Sequence, residues 1–161
     1  MEGLTLKGFI ARKLVEEARR HGLSPEGYVL EMLTQNLDPR ERAREYAEAA
    51  WELLEEAREE LGRGNLRQAT EKTWGAAALA VKAYAYWREG KRLASHGELW
   101  SYKSVMASEL GEWVRDAWGS AVHMHVCFYE GWCDKGDVGR AVKEVRRLVE
   151  EVRKKVYSRG L

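Results

Sequence analysis

The apolar residues of this chain recur with the period of an α-helix over most of its length. Between residues 138 and 156, valines and other apolar residues return every three or four positions. The same spacing defines an earlier stripe formed by Tyr46, Ala49, Ala50, Leu53, Leu54, Ala57 and Leu61. Such stripes are typical of amphipathic helices that bury one face. The sequence therefore predicts long helices in both regions.

A third region, residues 74–87, is apolar on almost every side, since twelve of its fourteen residues are apolar. A helix of this kind lies at the centre of a bundle or at a subunit interface. It is shorter than the roughly 20 residues that span a bilayer, so no membrane segment is expected. Lys82 interrupts the run. Because an isolated buried ammonium is costly, Lys82 either reaches solvent at the bundle end or contacts a phosphate or carboxylate.

The boundaries of the helices are marked by capping residues. Ser24 and Asp38 each precede a proline, which suits the first position of a helix, and Asn65 and Ser95 have a Gln or Glu three residues later. The predicted connections are short, which favours antiparallel neighbours. We therefore predict an all-α fold, built as an antiparallel up-and-down helical bundle.

The N-terminal quarter forms a unit of its own in this prediction, with residues 1–36 as an arm and helix pair and residues 37–161 as the bundle. Residues 4–7 alternate in polarity, which is typical of a short strand or an extended arm. Helices of about 11–21 and 25–36 follow. This order of elements is that of a ribbon-helix-helix DNA-binding unit. The segment has five basic and five acidic side chains, however, so it lacks the excess positive charge that binds DNA. The alternative is a strap packed on the bundle.

The charge of the chain is nearly balanced, with 27 Lys and Arg against 26 Asp and Glu. This argues against a protein that binds nucleic acid through its overall charge, but it is compatible with a local phosphate site.

Two cysteines are too few for a secreted disulfide framework, and no signal-peptide pattern opens the chain, so we expect a cytoplasmic protein. Scarce Asn and Gln beside abundant Arg indicate either a thermophile or a GC-rich genome. In a thermophile, Cys127 and Cys133 can be reduced or bonded.

One predicted helix carries the candidate chemistry. His123 and His125 are two residues apart and point about 200° away from each other, so they cannot chelate one metal together. His123 shares its face with Cys127 and Glu130, which is compatible with metal ligation. No second cluster completes a site, and we predict no metal and no cofactor. His125 shares an aromatic face with Tyr129, which indicates a buried or groove-lining histidine.

Three ordered blocks of the sequence resemble the archaeal PaREP family over about residues 37–150. The first block contains Leu37-Asp38-Pro39, Arg42, Tyr46 and Leu53-Leu54-Glu55-Glu56-Ala57. The second runs from Gly64 to Trp74 and continues with Ala77, Val81-Lys82-Ala83 and Ala85. The third is His125-Val126-Cys127-Phe128-Tyr129-Glu130-Gly131, where the family more often has Asn in place of Cys127.

That family resembles the HEPN superfamily (higher eukaryote and prokaryote nucleotide-binding domains), which implies a bundle of helices that is commonly a homodimer. Many HEPN proteins are metal-independent RNases of toxin–antitoxin systems, with an Arg and a His separated by about four to six residues. Here seven residues separate Arg115 from His123, and seven separate Arg88 from His96. The resemblance therefore implies a non-catalytic homodimer that binds a nucleotide, RNA or a protein partner, such as a nucleotidyltransferase or an antitoxin.

The residues that we expect to line the binding groove are Lys72, Lys82, His125, Tyr129 and Glu130, with the lysines contacting phosphate. Two alternatives stand beside this hypothesis. One is a toxin-type RNase with a displaced pair, Arg115 with His123 or His125. The other is a DNA-binding, antitoxin-like regulator that acts through residues 1–36.

Overall fold

The structure of the protein, a computed structural model, describes residues 3–158. Within this range the chain forms seven helices and no strand, which confirms the all-α prediction. The helices are α1 (Gly8–Arg20), α2 (Pro25–Thr34), α3 (Pro39–Gly62), α4 (Leu66–Glu89), α5 (His96–Leu110), α6 (Trp113–Glu130) and α7 (Lys135–Tyr157). In the described residues, none of these helices has the combination of length and apolarity that crossing a bilayer requires.

Three of the predicted cap residues form capping hydrogen bonds with their side chains. Ser24 and Ser95 each accept a hydrogen bond from the backbone N–H three residues later, at 2.9 and 3.1 Å. Asp38 accepts two such bonds from the first turn of α3. Asn65 also stands at the N-cap position of α4, as predicted, but its side chain forms no capping bond. Its amide instead donates to the Glu60 carboxylate at 2.8 Å, so a neighbouring acid competes for the side chain that would otherwise cap α4.

Helix α4 lies at the centre of the bundle and packs against α3, α5, α6 and α7. Its fully buried side chains are largely alanines: Ala69, Ala76, Ala77, Ala80, Ala83 and Ala85. Short side chains allow neighbouring helices to approach closely. Gly75, which has no side chain, allows the same close approach. A Cβ added there would lie 3.2 Å from Leu53 Cδ1 of α3. The predicted buried helix over residues 74–87 is confirmed.

Helices α1 and α2 pack on each other, and α2 contacts α3. Lys7, just before α1, has an extended backbone but pairs with no strand in the described residues, so the expectation of an arm holds and that of a strand does not. α1 begins three residues earlier than predicted, and α2 ends two residues earlier. Apolar side chains of this pair remain exposed: Phe9, Ile10, Val15, Val29, Met32 and Leu33. The division into two units at residue 36 stays a prediction.

The core face of α3 allows a direct test of this packing. Leu54 is fully buried, so Leu54→Ala removes core contacts and leaves a cavity. We expect the free energy of unfolding to fall by about 2–5 kcal/mol. The matched control is Leu4→Ala, at a leucine that is 86% exposed, for which the change should stay within about 0.5 kcal/mol. Urea unfolding measures both variants, and equal losses would contradict the packing.

Candidate functional site

Two clusters of side chains, one partly exposed and one largely buried, include residues of α4. The first, here termed the histidine cluster, comprises Trp74 of α4, His96 of α5, and Trp118, His125 and Tyr129 of α6. The His125 ring centroid lies 4.8 Å from that of Trp74 and 5.6 Å from that of His96. Tyr129 lies 5.3 Å from His125, and Trp118 lies 5.3 Å from Trp74. Two predicted groove residues, His125 and Tyr129, therefore contact each other.

The rings of the histidine cluster differ in exposure. Burial lowers the pKa of His125 below its ordinary value, and the neighbouring His96 adds to this effect, so the His125 imidazole is neutral at pH 7. Tyr129 is 67% exposed. Trp118 is buried, and its Nε1–H has no hydrogen-bond partner in the described residues. The cluster therefore contains both exposed rings and a buried donor without an acceptor. Such a donor is costly.

The second cluster, here termed the Lys82 pocket, lies about 12 Å farther along α4, a distance set by eight residues of helix. It comprises Lys82 and Tyr86 of α4, Arg42 of α3, Glu31 of α2 and Arg92 of the α4–α5 connection. The Arg42 guanidinium lies over the Tyr86 ring, 4.8 Å from its centroid, and donates to the backbone carbonyl of Glu31 at 3.4 Å. The Glu31 carboxylate pairs with Arg92.

The cations of the Lys82 pocket outnumber its carboxylate. Lys82 is only 9% exposed and forms no ion pair with any group in residues 3–158. Burial lowers its pKa; the charge of Glu31 raises it, and Arg92 and Arg42 lower it further. The Nε–H of Arg42 is buried and lacks an acceptor among the same residues. The pocket therefore has two cations that no carboxylate neutralises, which favours binding of an anion.

Lys72 and Glu130, two other predicted groove residues, lie outside both clusters. The Lys72 ammonium donates to the Glu56 carboxylate at 2.7 Å. Burial opposes the charge of Lys72, but the hydrogen bond and charge of Glu56 outweigh it, so the pKa of Lys72 is raised. Glu130 is exposed in the last turn of α6. The structure thus brings His125 and Tyr129 together, places Lys82 in a separate pocket and neutralises Lys72.

The residues of the displaced RNase pair do not meet. Arg115 donates to Glu112 at 2.8 Å and to Ser104 at 3.3 Å. His123 lies eight residues farther along α6, about 12 Å by helical rise. Its Nε2 is 3.9 Å from Sγ of Cys133. Arg115 is therefore occupied by Glu112 and Ser104 at the start of α6 and does not reach His123.

His96, Arg42 and Arg92 belong to the two clusters, although the sequence reasoning did not select them. Arg42 stands in the first turn of α3, and His96 begins α5, so their local sequence indicates only helix starts. Arg92 lies in a connection. The only available signal was the lone lysine of the buried helix, which implied an anion but not the residues around it.

A separate groove between α3 and α7 is lined by Glu48, Trp51, Arg153 and Tyr157, among others. The Glu48 carboxylate accepts hydrogen bonds from Arg153 at 3.0 Å and from Tyr157 at 2.9 Å. Because these polar groups satisfy one another, the groove presents less unmet charge than the Lys82 pocket does. We therefore place the candidate site on α4.

The sequence profile of the archaeal PaREP1/PaREP8 family matches residues 45–149, so α1 and α2 precede the matched part. No curated protein matches the chain. A crystal structure of a protein from Sulfolobus solfataricus is similar, with 27% sequence identity and a TM-score of 0.61, and the similarity covers 66% of this chain and 95% of that one. Because the family profile matches more than half of its length, the chain belongs to the archaeal PaREP1/PaREP8 family.

Proposed function

We propose that the protein is a HEPN-like homodimer that binds a nucleotide or a short single-stranded RNA along α4 without cleaving it. The observation that carries this proposal is the unneutralised pair of cations in the Lys82 pocket. Lys82 is almost completely buried, and the buried Nε–H of Arg42 has no acceptor within residues 3–158. The family name alone gives no function, so the proposal depends on these side chains.

A phosphate in the Lys82 pocket would satisfy both cations. Ammonium and guanidinium groups donate charge-assisted hydrogen bonds to phosphate oxygens, and the guanidinium does so through two N–H groups at once. A buried cation without a counter-ion destabilises the free protein, so an anion that binds there recovers part of that free energy. We therefore assign the phosphate of the ligand to Lys82 and Arg42.

The histidine cluster is suited to the base of the same ligand. Stacking of bases on aromatic side chains tolerates any sequence, because every base has a π face. The exposed Tyr129 and the neutral, half-buried His125 provide such faces. The two clusters lie about 12 Å apart along α4. A nucleotide with a polyphosphate chain, or a strand of two or more nucleotides, has that reach.

The proposed dimer interface consists of the exposed apolar side chains of α1 and α2. Phe9 of α1 is 71% exposed and Leu33 of α2 is 76% exposed, and other large apolar side chains of the same two helices are also exposed. Large exposed apolar side chains on two helices that pack together indicate an association site. We assign it to a second copy of this chain; a nucleotidyltransferase or an antitoxin is the alternative partner.

The first test replaces Lys82 by an apolar residue of similar length. Lys82→Met should weaken binding of ATP and of a short 5′-phosphorylated RNA by about 1.5–3 kcal/mol, roughly ten- to a hundredfold in Kd. The melting temperature should stay the same or rise, because an unpaired buried charge is removed. The control is Lys155→Met, at an exposed lysine of α7. Calorimetry that finds equal Kd values for both variants, or no binding by the wild type, would reject the phosphate assignment.

The second test concerns the base. Tyr129→Ala removes an exposed ring, so the fold should persist while RNA binding weakens by about 1–3 kcal/mol. Binding of inorganic triphosphate, which has no base, should not change. Trp132→Ala, at a tryptophan that is 75% exposed and outside the histidine cluster, serves as the control. A loss of RNA affinity in Trp132→Ala but not in Tyr129→Ala would place the base elsewhere.

The mixtures of protein and RNA that are used in these binding measurements also distinguish binding from RNA cleavage. The RNA should remain intact on a denaturing gel after incubation with the wild-type protein. Degradation that disappears in both His125→Ala and His96→Ala would support the RNase alternative with this histidine pair, whose ring centroids are 5.6 Å apart. Degradation that disappears in His123→Ala and Arg115→Ala would support the displaced pair predicted from the sequence.

The third test concerns the dimer. Introducing charge on the exposed apolar surface through Phe9→Glu with Leu33→Glu should convert a dimer into a monomer, because burial of those carboxylates would be costly. Light scattering measures the mass. Val126→Glu, on the exposed side of α6, should remain dimeric. A wild-type mass of a single chain would disprove the homodimer.

A further inference from the structure

The end of α6 and the connection to α7 bring together three side chains that the proposed function does not use. α6 ends at Glu130, and Gly131 adopts a left-handed conformation with φ of 70°. The chain turns back there, so Cys133 reaches Cys127 one turn inside the helix. The two cysteines form a disulfide with a Cα–Cα distance of 5.6 Å. The close approach of these two sulfurs is therefore set by the helix end.

His123 adds a third ligand type to the same place. It precedes Cys127 by four residues, one helical turn, and therefore lies on the same side of α6. Its Nε2 is 3.9 Å from Sγ of Cys133, and the ligand atoms of His123, Cys127 and Cys133 all lie within 4.8 Å of one another. Tetrahedral Zn²⁺ bound by sulfur and imidazole nitrogen holds its ligand atoms roughly 3.5 Å apart, given the usual bond lengths. Small side-chain movements would reach that spacing.

We propose that reduction of the Cys127–Cys133 disulfide converts this place into a binding site for a thiophilic divalent metal such as Zn²⁺. The ligands are the two thiolates and Nε2 of His123. His123 is exposed to solvent, so water can occupy the fourth position. Asp134, the nearest carboxylate in the connection, accepts the N–H of Asp137 at 2.8 Å as the cap of α7, and it is not needed as a ligand.

A dithiol, either a protein dithiol or a small one, can supply the two electrons of this reduction. Its thiolate attacks Sγ of Cys133, which is partly exposed, whereas Cys127 is buried. A mixed disulfide forms at Cys133, and Cys127 leaves as a thiolate. The second thiol of the reductant then releases Cys133 and closes its own disulfide, so two electrons and two protons reach the protein. When the metal binds, both cysteine thiols lose their protons to solvent and ligate the metal as thiolates.

This site is separate from the proposed nucleotide site. His123 and His125 point about 200° apart on α6, so one faces the cysteines while the other faces Trp74. In the oxidised protein the disulfide links α6 to the connection before α7, and in the reduced protein the metal would form the same link. A loss of nucleotide binding would therefore leave this proposal unaffected.

The experiment uses the full chain in two states, oxidised and reduced with a phosphine that is then removed without air. Co²⁺ serves as the probe, because thiolate ligation gives a charge-transfer absorption and tetrahedral geometry gives strong visible bands. The reduced protein should bind one Co²⁺ per chain, and Zn²⁺ should displace it. The oxidised protein should show neither absorption. A thiol-reactive dye should count no thiols before reduction and two after it.

Variants identify the ligands. Cys133→Ser should abolish the single-site charge-transfer spectrum, and His123→Ala should weaken Co²⁺ binding at least about tenfold. Because His123 is exposed, its replacement should leave the melting temperature of the oxidised protein unchanged. His21→Ala, at an exposed histidine that follows α1 and lies outside both clusters, is the matched control and should bind Co²⁺ as the wild type does. Reduced wild type that binds no Co²⁺, oxidised protein that binds it equally, or His123→Ala with wild-type affinity would each overturn the proposal.

Discussion

Helix α4 packs against four neighbouring helices, and this packing limits every other part of the structure. A helix surrounded in this way cannot carry large side chains on every face, and six of its thirteen buried positions are alanine. The short side chains bring α3 close enough that even Gly75 has little space beside Leu53. Interiors are packed at the density of organic crystals, so α4 has little free space at its buried positions.

That constraint explains where the unusual side chains of the protein lie. Trp74 and Lys82 both lie on α4, and around each of them the neighbouring helices contribute polar or aromatic groups without satisfying all of them. Within residues 3–158, Trp118 of α6 has a buried donor without an acceptor beside Trp74, and Arg42 of α3 has another beside Lys82. In protein interiors such groups are uncommon because they are costly. Their occurrence beside two residues of α4 is the reason for placing the ligand there.

Much of the fold could be predicted from the sequence, and less of the site. The long stripes, the all-apolar region and the caps at Ser24, Asp38 and Ser95 each depend on spacing within a few residues, and the structure agrees with them. The Asn65 side chain forms no capping bond because Glu60, five residues away, forms a competing hydrogen bond. Lys72 was expected to be available for phosphate, but it pairs with Glu56, sixteen residues away on α3.

The helices, the burial of residues 74–87 and the anomaly of Lys82 can be predicted from the sequence, because periodicity and capping are local properties of a chain. The tertiary structure adds the groups that surround that lysine, the contact of His96 with His125 and the approach of Cys133 to His123. These are contacts between separate elements. They depend on how helices pack and how connections turn, which no spacing along the chain encodes, and they decide the chemistry because recognition needs several groups at one point in space.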